Sequence, residues 1–332
     1  MSQATAVAPS NIAFVKYWGV QTLEEVRPRN ASISMTLSGC RTTTTVRHDP
    51  DGPPTLRLRL LDSDGSERPV AYGFRTGVER HLAALRPELG LAGSLDVSTC
   101  NSFPTGAGIA SSASGFAALA LACAGAAGVS LTREEHSRLA RASGSGSACR
   151  SAWGGYVEWP GAAGFESASP VAAAEHWSLA DVIAVVETSP KEVSSREGHL
   201  RAPSSPHFPR RLELLPARLA AVRSAIHHRD LEDLGSQLEP EAIELHLVAM
   251  SSRPPILYWR PGTLAVLERV RTLRSAGVGA WFTMDAGPNV HVLCRPEDAA
   301  AVASSLAATP GVTEVIDDRT GEGPNLLEEP PT

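Results

Sequence analysis

A loop rich in glycine and serine carries the clearest chemical signal in this 332-residue chain. The segment "PTGAGIASSAS" runs from Pro104 to Ser114 and leads directly into a long apolar stretch of small residues. Gly106 and Gly108 let backbone amides approach a ligand closely, and a following helix would add free N–H groups and the positive end of its dipole. Hydroxyl groups are available from Ser111, Ser112 and Ser114. The loop is therefore a candidate phosphate-binding site.

The loop alone leaves an alternative open. It is not a Walker A loop, because no Gly-Lys-Ser/Thr follows, and no acidic residue completes a dinucleotide-binding pattern about 20 residues on. A glycine- and serine-rich turn before a tightly packed helix would have the same composition.

Two further segments favour an anionic ligand. In "SGSGSACRSAWGG", Ser143 to Gly155, Arg150 could hold a carboxylate or phosphate with two parallel hydrogen bonds. In "SPKEVSSREGH" the polar and basic residues are Lys191, Ser195 and Arg196. Each segment alone could be a solvated surface loop. Three such segments in a protein of net charge −6 indicate a small-molecule substrate with several negative charges.

Asp285 and Lys16 are the remaining candidates. Asp285 in "TMDAGPN" ends an apolar strand, where a partly buried carboxylate could reach a cleft and have its pKa tuned. The alternative is an aspartate that forms the turn by bonding its own backbone. Lys16 in "NIAFVKYWG" follows an apolar run and is either a phosphate partner or a charge at a strand end.

Strands and helices must position these residues. In "ASISMTL", residues 32, 34 and 36 alternate with apolar residues as on a half-buried strand, and "DVIAVVET" is typical of a central strand. Thr132 and Glu135 form a helix capping box. Later segments predict long helices near 210–228 and 231–248, which Pro216 and Pro240 should break or kink. "GAWFTMD" and "NVHVLC" predict a hairpin, and the tail "GEGPNLLEEPPT" is expected to fray.

Composition limits the protein class. With 42% hydrophobic and 20% charged residues the chain can bury a core, and its acidic balance excludes a global nucleic-acid or membrane surface. Five scattered cysteines favour reduced thiols in a cytoplasm, and the N-terminus lacks a signal-peptide pattern. Strands and helices mix without strict alternation, which predicts an α+β protein of two domains, 1–189 and 190–332.

The motifs together resemble the mevalonate diphosphate decarboxylases of the GHMP kinase superfamily. The matching segments are "NIAFVKYWG", "FPTGAGIASSASGFAALA", "SGSGSACRSAWGGYVEW", "SSR" and "FTMDAGPN", in the same order from residue 11 to about 290. The resemblance implies a GHMP fold with an N-terminal ATP-binding domain and a site in the cleft between the domains. It also implies ATP and Mg²⁺ as cofactors and a homodimer.

The resemblance assigns roles to individual residues. Asp285 matches the catalytic aspartate that orients or deprotonates the 3-hydroxyl of the substrate, and Arg150 matches the arginine that binds its carboxylate. Residues that match the substrate site are Tyr17, Ser145, Gly146, Ser147, Ser195 and Arg196. The loop 104–114 would cradle ATP phosphates, with Ser112 near Mg²⁺, and Lys191 matches a lysine above those phosphates. Lys16 is assigned to the catalytic group.

One departure bears on the substrate. The family segment normally reads KYWGK, but this chain has Val20 at the last position, and Glu192 stands where many members have a second basic residue. Both changes favour a substrate with less phosphate charge, 5-phosphomevalonate, which would give isopentenyl phosphate, ADP, phosphate and CO₂. The alternative is the 5-diphosphate substrate and isopentenyl diphosphate, with Arg27 or Arg29 replacing the lysine.

Two other classes remain as alternatives. A kinase of the same fold would phosphorylate a small molecule without decarboxylation, and Asp285 and Arg150 argue against it. A non-catalytic binding module is the second alternative, and the intact phosphate loop argues against it.

Overall fold

Two β-sheets with helices packed against them organise the chain. The computed structural model describes residues 1–22, 26–104, 109–142, 144–189 and 192–327. The strands are β1 (Ser2–Val15), β2 (Val20–Thr22), β3 (Arg27–Pro28), β4 (Ser32–Asp49), β5 (Leu56–Leu61), β6 (Glu67–Arg68), β7 (Ser94–Asn101), β8 (Tyr156–Trp159), β9 (Ser169–Ala172), β10 (Ala180–Val185), β11 (Ala280–Thr283), β12 (Val290–Cys294), β13 (Glu314–Arg319) and β14 (Asn325–Leu327).

The α-helices are mixed with these strands without strict alternation, the α+β arrangement that the sequence predicts. They are α1 (Tyr72–Leu89), α2 (Ser111–Ala126), α3 (Arg133–Arg141), α4 (Ser195–Arg201), α5 (Phe208–His228), α6 (Leu231–Met250), α7 (Pro261–Ser275) and α8 (Ala299–Ala307). Short 3-10 helices cover Gly146–Ala152, Ala174–His176, Ala202–Ser204 and Pro296–Asp298. No helix within the described ranges is long and apolar enough to cross a membrane.

The first sheet is built on a long antiparallel pair, β1 and β4. Within the described residues its strand order is β14-β1-β4-β7-β5-β6, with β8 and β9 attached beside β4. Helices α1, α2 and α3 pack on it through a core that includes Val46, Val97, Leu82, Leu119 and Leu139. This packing fixes the start of α2, which begins at Ser111, so the last four residues of the segment Pro104 to Ser114 belong to the helix.

The second sheet has the order β11-β12-β10-β13. Strand β10 lies inside it and every residue of the strand is buried, which confirms the central position predicted for "DVIAVVET". The predicted hairpin is confirmed by the antiparallel pairing of β11 with β12. The predicted boundary near residue 189 follows β10, yet β10 pairs only with strands of the second sheet among those described. The division into domains 1–189 and 190–332 stays a prediction.

Three local predictions need correction. Ser32, Ser34 and Thr36 are as buried as the apolar residues between them, so this part of β4 is covered on both faces and is not half-buried. Pro216 and Pro240 lie inside α5 and α6 and break neither helix, so the predicted break is wrong and the predicted kink stays a prediction. The tail does not fray before residue 327, because β14 pairs with β1. The capping box of Thr132 and Glu135 is present as predicted.

Candidate active site

Most of the predicted site residues line one cavity of about 820 Å³. They come from both halves of the sequence: Lys16, Tyr17, Ser111, Ser112, Ser145, Gly146, Ser147, Arg150, Ser195, Arg196 and Asp285. The fold therefore gathers segments that lie up to 269 positions apart in the sequence, from Lys16 to Asp285, around a single space.

A few predicted residues lie elsewhere. Ser114 is fully buried, and its hydroxyl lies 2.6 Å from Thr42 Oγ1, so it supports α2 and does not line the cavity. Pro104 also does not line it. Gly106, Gly108 and Lys191 lie outside the described residues, and their predicted contacts with phosphate stay predictions.

Lys16 and Asp285 form an ion pair at the inner end of the cavity. The strand β1 ends one residue before Lys16, and β11 ends two residues before Asp285. Lys16 Nζ lies 3.0 Å from Asp285 Oδ1, with the lysine side chain 2% exposed and the aspartate 25% exposed. Lys16 also donates to Thr283 Oγ1 at 2.7 Å and to the carbonyl of Ala13. The buried ammonium thus fixes a carboxylate that still faces the ligand space.

In this ion pair, each residue stabilises the charged form of the other. Burial opposes ionisation of Asp285, but the ammonium of Lys16, with smaller contributions from His291 and Arg150, holds the pKa of Asp285 below its ordinary value. Burial lowers the pKa of Lys16, while Asp285 favours its charged form. Asp285 is therefore an ionised hydrogen-bond acceptor at neutral pH.

Arg150 is a buried guanidinium held by neutral oxygens. It belongs to the 3-10 helix Gly146–Ala152 and is 2% exposed. Its Nε donates to Ser34 Oγ at 2.9 Å, its Nη1 to Ser32 Oγ at 2.5 Å, and its Nη2 to Asn11 Oδ1 at 3.1 Å. Burial lowers its pKa, although a guanidinium stays protonated at neutral pH.

No carboxylate of the described residues forms an ion pair with Arg150. A buried cation without a hydrogen-bonded anion is costly, and a ligand carboxylate in the cavity would relieve that cost. The sequence pattern identifies Ser32 and Ser34 only as polar positions on one face of a strand. Their alternate spacing places both hydroxyls on the same side, but it does not show that they bind Arg150.

The segment Ser145–Ser147 forms a wall between the arginine and the start of α2. A Cβ atom on Gly146 would lie 2.5 Å from Trp159 Cη2 and 3.0 Å from Tyr17 Cε1, so this close approach requires glycine. Ser145 Oγ lies 3.4 Å from Ser112 Oγ, which brings hydroxyls of two predicted loops together. Tyr17 stacks on His199 at 4.1 Å, and burial raises the pKa of its phenol, so it remains a neutral donor.

A buried ion pair, which the sequence analysis did not predict, holds the backbone of Lys16. Glu241 Oε1 accepts from the Lys16 amide at 2.8 Å, and Arg211 Nη2 donates to the Lys16 carbonyl at 2.9 Å. Arg211 and Glu241 also pair with each other, and both are fully buried. They lie on α5 and α6, about 200 residues from Lys16, where charged helix residues are normally expected to face water.

Comparisons with known proteins agree with this arrangement. The family model for the diphosphomevalonate decarboxylase-like N-terminal domain matches residues 8–172, and that for the mevalonate 5-diphosphate decarboxylase C-terminal domain matches residues 181–327. A diphosphomevalonate decarboxylase of Ganoderma lucidum is 36% identical over 321 residues, covering 89% of this chain and 79% of that protein.

The chain belongs to the mevalonate diphosphate decarboxylase family.

Solved structures show the same fold over the whole chain. The mevalonate diphosphate decarboxylase of Staphylococcus aureus is 30% identical, with a TM-score of 0.88 and coverage of 98% of both chains. The structure of MDDEF in complex with MVAPP, AMPPCP and magnesium is 34% identical, with a TM-score of 0.86 and coverage of 99% of both chains. The predicted GHMP kinase fold and the family resemblance are therefore confirmed.

The position at which this chain departs from the family segment does not line the cavity. Val20 is 7% exposed, begins β2 and does not line the cavity. Its carbonyl accepts from Arg29 Nε at 3.3 Å, while Arg27 lies over the ring of Phe165. Neither arginine lines the cavity, so the suggested replacement of a family lysine by Arg27 or Arg29 has no support in the geometry.

Proposed function

We propose that this protein catalyses the ATP-dependent decarboxylation of mevalonate 5-diphosphate, giving isopentenyl diphosphate, ADP, phosphate and CO₂. The observation that carries the proposal is the placement of Asp285 and Arg150 in one cavity. Asp285 is an ionised acceptor held by Lys16, and Arg150 is a buried cation that has no anionic partner among the described residues. These two groups suit the hydroxyl and the carboxylate of a 3-hydroxy acid.

Arg150 binds and orients the substrate carboxylate. Its planar guanidinium is fixed by Ser32, Ser34 and Asn11, so its remaining N–H groups have a defined direction. A planar fork matches a carboxylate in one plane, and this orientation keeps the C–C bond that breaks aligned with the C–O bond that leaves.

Asp285 accepts a hydrogen bond from the 3-hydroxyl and takes its proton as the oxygen is phosphorylated. A low pKa makes it a weak base, but phosphoryl transfer depends mainly on positioning and charge stabilisation. Lys16 keeps the carboxylate ionised and fixes its rotamer, so the hydroxyl oxygen is held in one place.

The residues present fit a magnesium nucleotide. Bound ATP with Mg²⁺ supplies the phosphoryl group that turns the tertiary hydroxyl into a good leaving group. Ser112, at the start of α2, offers an exposed hydroxyl in the cavity, and Mg²⁺ commonly takes one or two protein oxygens with phosphate and water. Apolar residues on another wall suit a nucleotide base; they are Leu58, Leu60, Val78, Val97, Phe116 and Leu119.

The relatives favour the diphosphate over the monophosphate. The family models and the curated relatives carry the diphosphate in their names, and a complex with MVAPP, AMPPCP and magnesium is among the similar structures. The expectation of 5-phosphomevalonate rested on Val20, and Val20 does not line the cavity. The diphosphate reaction, which was the alternative, is therefore better supported. The homodimer and the cytoplasmic location stay predictions.

Replacing Asp285 with asparagine tests the proposal. Asp285→Asn removes the acceptor of the hydroxyl proton and should lower kcat by about 10²–10⁴-fold, the usual contribution of acid–base catalysis. ATP binding should change little, whereas the thermal unfolding midpoint should fall, because the buried Lys16 ammonium keeps only the neutral oxygens of Thr283 and Ala13 as partners. The measurement is CO₂ and ADP release from mevalonate 5-diphosphate.

A matched control is Asp233→Asn, which lies on the exposed surface of α6 and should leave CO₂ release unchanged. Turnover of Asp285→Asn close to that of the unmodified protein would refute the role of Asp285. ADP release with a phosphorylated product and no CO₂ would instead identify a kinase.

A further inference from the structure

A second buried pair of ionisable side chains lies in the sheet whose strand β11 leads to Asp285. Asp181 on β10 and His291 on β12 are 0% and 1% exposed, and His291 Nδ1 lies 2.7 Å from Asp181 Oδ2. Neither residue lines the cavity, and the reaction described above does not use them. Burying such a pair is costly, so its place relative to the active site bears on what it does.

The register of the sheet places His291 beside the active site. His291 lies directly opposite Thr283 on the antiparallel strand β11, and opposed residues have their side chains next to each other on one face. Thr283 Oγ1 accepts a hydrogen bond from Lys16 Nζ at 2.7 Å, and Lys16 Nζ lies 3.0 Å from Asp285 Oδ1. His291 is therefore adjacent to the residue that holds Lys16, which in turn holds Asp285.

Strand β10 anchors the hairpin that carries Asp285 at two levels. Within the sheet, Asp181 fixes the ring of His291. At the turn, Asn289 Oδ1 accepts from two backbone amides just after β10, at 2.7 and 3.0 Å. Asp285 lies on the turn between β11 and β12, so its position depends on both contacts.

The pair also acts on the charge of Asp285. Burial raises the pKa of Asp285, but Lys16, His291 and Arg150 together hold it below its ordinary value. Burial likewise raises the pKa of Asp181, and His291 and Lys16 oppose this effect. In the ion-paired form of Asp181 and His291, the positive charge lies on the ring and favours the ionised form of Asp285.

Other charged groups near the pair do not replace His291. Asp318 on β13 lies opposite Asp181, but it is acidic and already accepts from two backbone amides of β4 at 2.7 Å each. Glu241 is also acidic and accepts from the Lys16 amide. Among the described residues, His291 is the only ion-pair partner of Asp181. Loss of His291 would therefore leave Asp181 without a counter-charge.

Stability alone does not account for the pair. Asp181 Oδ1 and His291 Nε2 are buried and have no hydrogen-bond partner among the described residues. Buried polar groups are normally satisfied, and an apolar pair at these two positions would avoid this cost. The pair lies where the reaction requires a fixed Lys16 and an ionised Asp285.

We propose that Asp181 and His291 are positioning residues for the decarboxylation: they hold Thr283 and Lys16 in place and keep Asp285 ionised, ready to accept the proton of the 3-hydroxyl. Neither residue touches the substrate. This inference rests on the proposed function.

Replacing His291 with glutamine tests this role. His291→Gln keeps a hydrogen-bonding side chain but removes the charge, and it should lower kcat for CO₂ release from mevalonate 5-diphosphate about tenfold. KM for this substrate and for ATP should stay within about twofold, because His291 touches neither ligand. The matched control is His48→Gln. His48 is a buried histidine of β4 whose Nε2 lies 2.7 Å from the carbonyl oxygen of Ala92, and it does not line the cavity. The control should keep kcat even where it loses stability.

The pH dependence of kcat separates positioning from a merely structural role. Asp285 has to be ionised, so kcat falls as the pH drops through its pKa. In His291→Gln the counter-charge of Asp181 is lost, which should raise the pKa of Asp285 and move the acidic limb of the kcat profile up by about one pH unit. His291→Lys, which returns a positive charge beside Asp181, should restore kcat and the acidic limb.

Each contrary result overturns the inference. Equal kcat and equal acidic limbs in His291→Gln and His48→Gln would show that the pair only stabilises the sheet. A higher KM with unchanged kcat would show an effect on ligand binding. A folded His291→Lys protein without recovery would exclude the charge of His291 as the cause.

A double substitution covers the case in which His291→Gln does not fold. Asp181→Asn combined with His291→Gln leaves no unpaired carboxylate. It should still lower kcat relative to His48→Gln, because Asp285 loses the positive charge of the ring. Equal kcat in these two proteins would overturn the inference.

A measurement without substrate distinguishes failure of this inference from failure of the proposed function. If the unmodified protein releases no CO₂ from mevalonate 5-diphosphate, the proposed function has failed. The pKa of Asp285 is then measured by NMR in protein labelled with ¹³C at the aspartate carboxyl groups, with its signal assigned by its loss in Asp285→Asn. A pKa about one unit higher in His291→Gln than in His48→Gln supports the inference, and equal values overturn it.

Discussion

At the scale of single residues, Arg150 shows how a side chain is prepared for a ligand. Its three neighbours, Ser32, Ser34 and Asn11, use their oxygens to fix the guanidinium without neutralising it. An aspartate at one of these three positions would neutralise Arg150, which would then not need the carboxylate of a ligand. The residue types around Arg150 therefore leave its charge available to a ligand carboxylate, as the proposed function requires.

Arg150→Lys should damage the reaction even though the charge is kept. An ammonium cannot reach three fixed oxygens and a carboxylate in one plane, so the substrate would lose its orientation. We expect kcat/KM for mevalonate 5-diphosphate to fall about ten- to a hundredfold, with KM for ATP unchanged. Steady-state kinetics measure this.

The matched substitution Arg138→Lys, in the exposed ion pair with Glu88, should have no effect on kcat/KM. If Arg150→Lys were as active as this control, Arg150 would not bind the carboxylate.

Sequence patterns identified some of these residues and not others. Arg150 stood out because it follows glycines and serines in a polar segment. Arg211 did not, because an arginine on a helix such as α5 is usually solvated, and its contact with Lys16 depends on how α5 packs against the end of β1. Ser114 was assigned to phosphate on composition, but the first turn of α2 directs it towards Thr42. The direction of a side chain within a helical turn depends on the backbone geometry, which the sequence alone does not show.

At the scale of elements, α5 and α6 stabilise the inner end of the site through one buried ion pair. Glu241 accepts a hydrogen bond from the Lys16 amide, and Arg211 donates one to the Lys16 carbonyl. Both backbone groups of Lys16 are therefore fixed. Arg218 adds a second contact to Glu241 at 2.8 Å. The two helices thereby fix the start of the Lys16 side chain, and with it Asp285.

Glu241→Gln should reduce turnover more than binding. The glutamine oxygen can still accept from the Lys16 amide, but Arg211 loses its buried anion, which should cost about 3–5 kcal/mol in the free energy of unfolding. A shift of Lys16 should lower kcat about ten- to a hundredfold, while KM for both substrates changes little. Kinetics and denaturant titration measure the two effects.

Glu244→Gln is the control on the same helix, since Glu244 pairs with Arg218 but does not contact Lys16. It should keep kcat and lose less stability. Equal effects of the two substitutions on kcat would show that the contact of Glu241 with Lys16 has no role in positioning.

The prolines of α5 and α6 show why helix ends cannot be predicted from local sequence alone. Pro216 and Pro240 suggest helix ends by their local chemistry, yet both helices continue through them. Both prolines are exposed, so water can hydrate a carbonyl that lacks its helical partner, while Leu215, Leu219, Leu234 and Leu238 of the same two helices are buried in the core. Tertiary packing therefore outweighs the helix-breaking preference of proline. A short segment of sequence contains no information on that packing.

At the scale of the whole molecule, the two halves of the chain supply complementary parts of one cavity. The first half supplies Lys16, Arg150 and the start of α2, while the second supplies Asp285 and Arg196. The order of motifs in the sequence was sufficient to predict the family and its fold. The comparisons support the diphosphate alternative better than the favoured monophosphate, whose sequence signal, Val20, is close to Lys16 in sequence but does not line the cavity.

The most direct test of the account measures CO₂ release by the purified protein with ATP and Mg²⁺, using mevalonate 5-diphosphate and 5-phosphomevalonate as separate substrates. We expect one CO₂ and one ADP for each molecule of mevalonate 5-diphosphate consumed. We also expect kcat/KM to be at least about tenfold lower for the monophosphate, because that substrate lacks a charge-assisted contact. Equal or faster turnover of the monophosphate, or ADP release without CO₂, would contradict it.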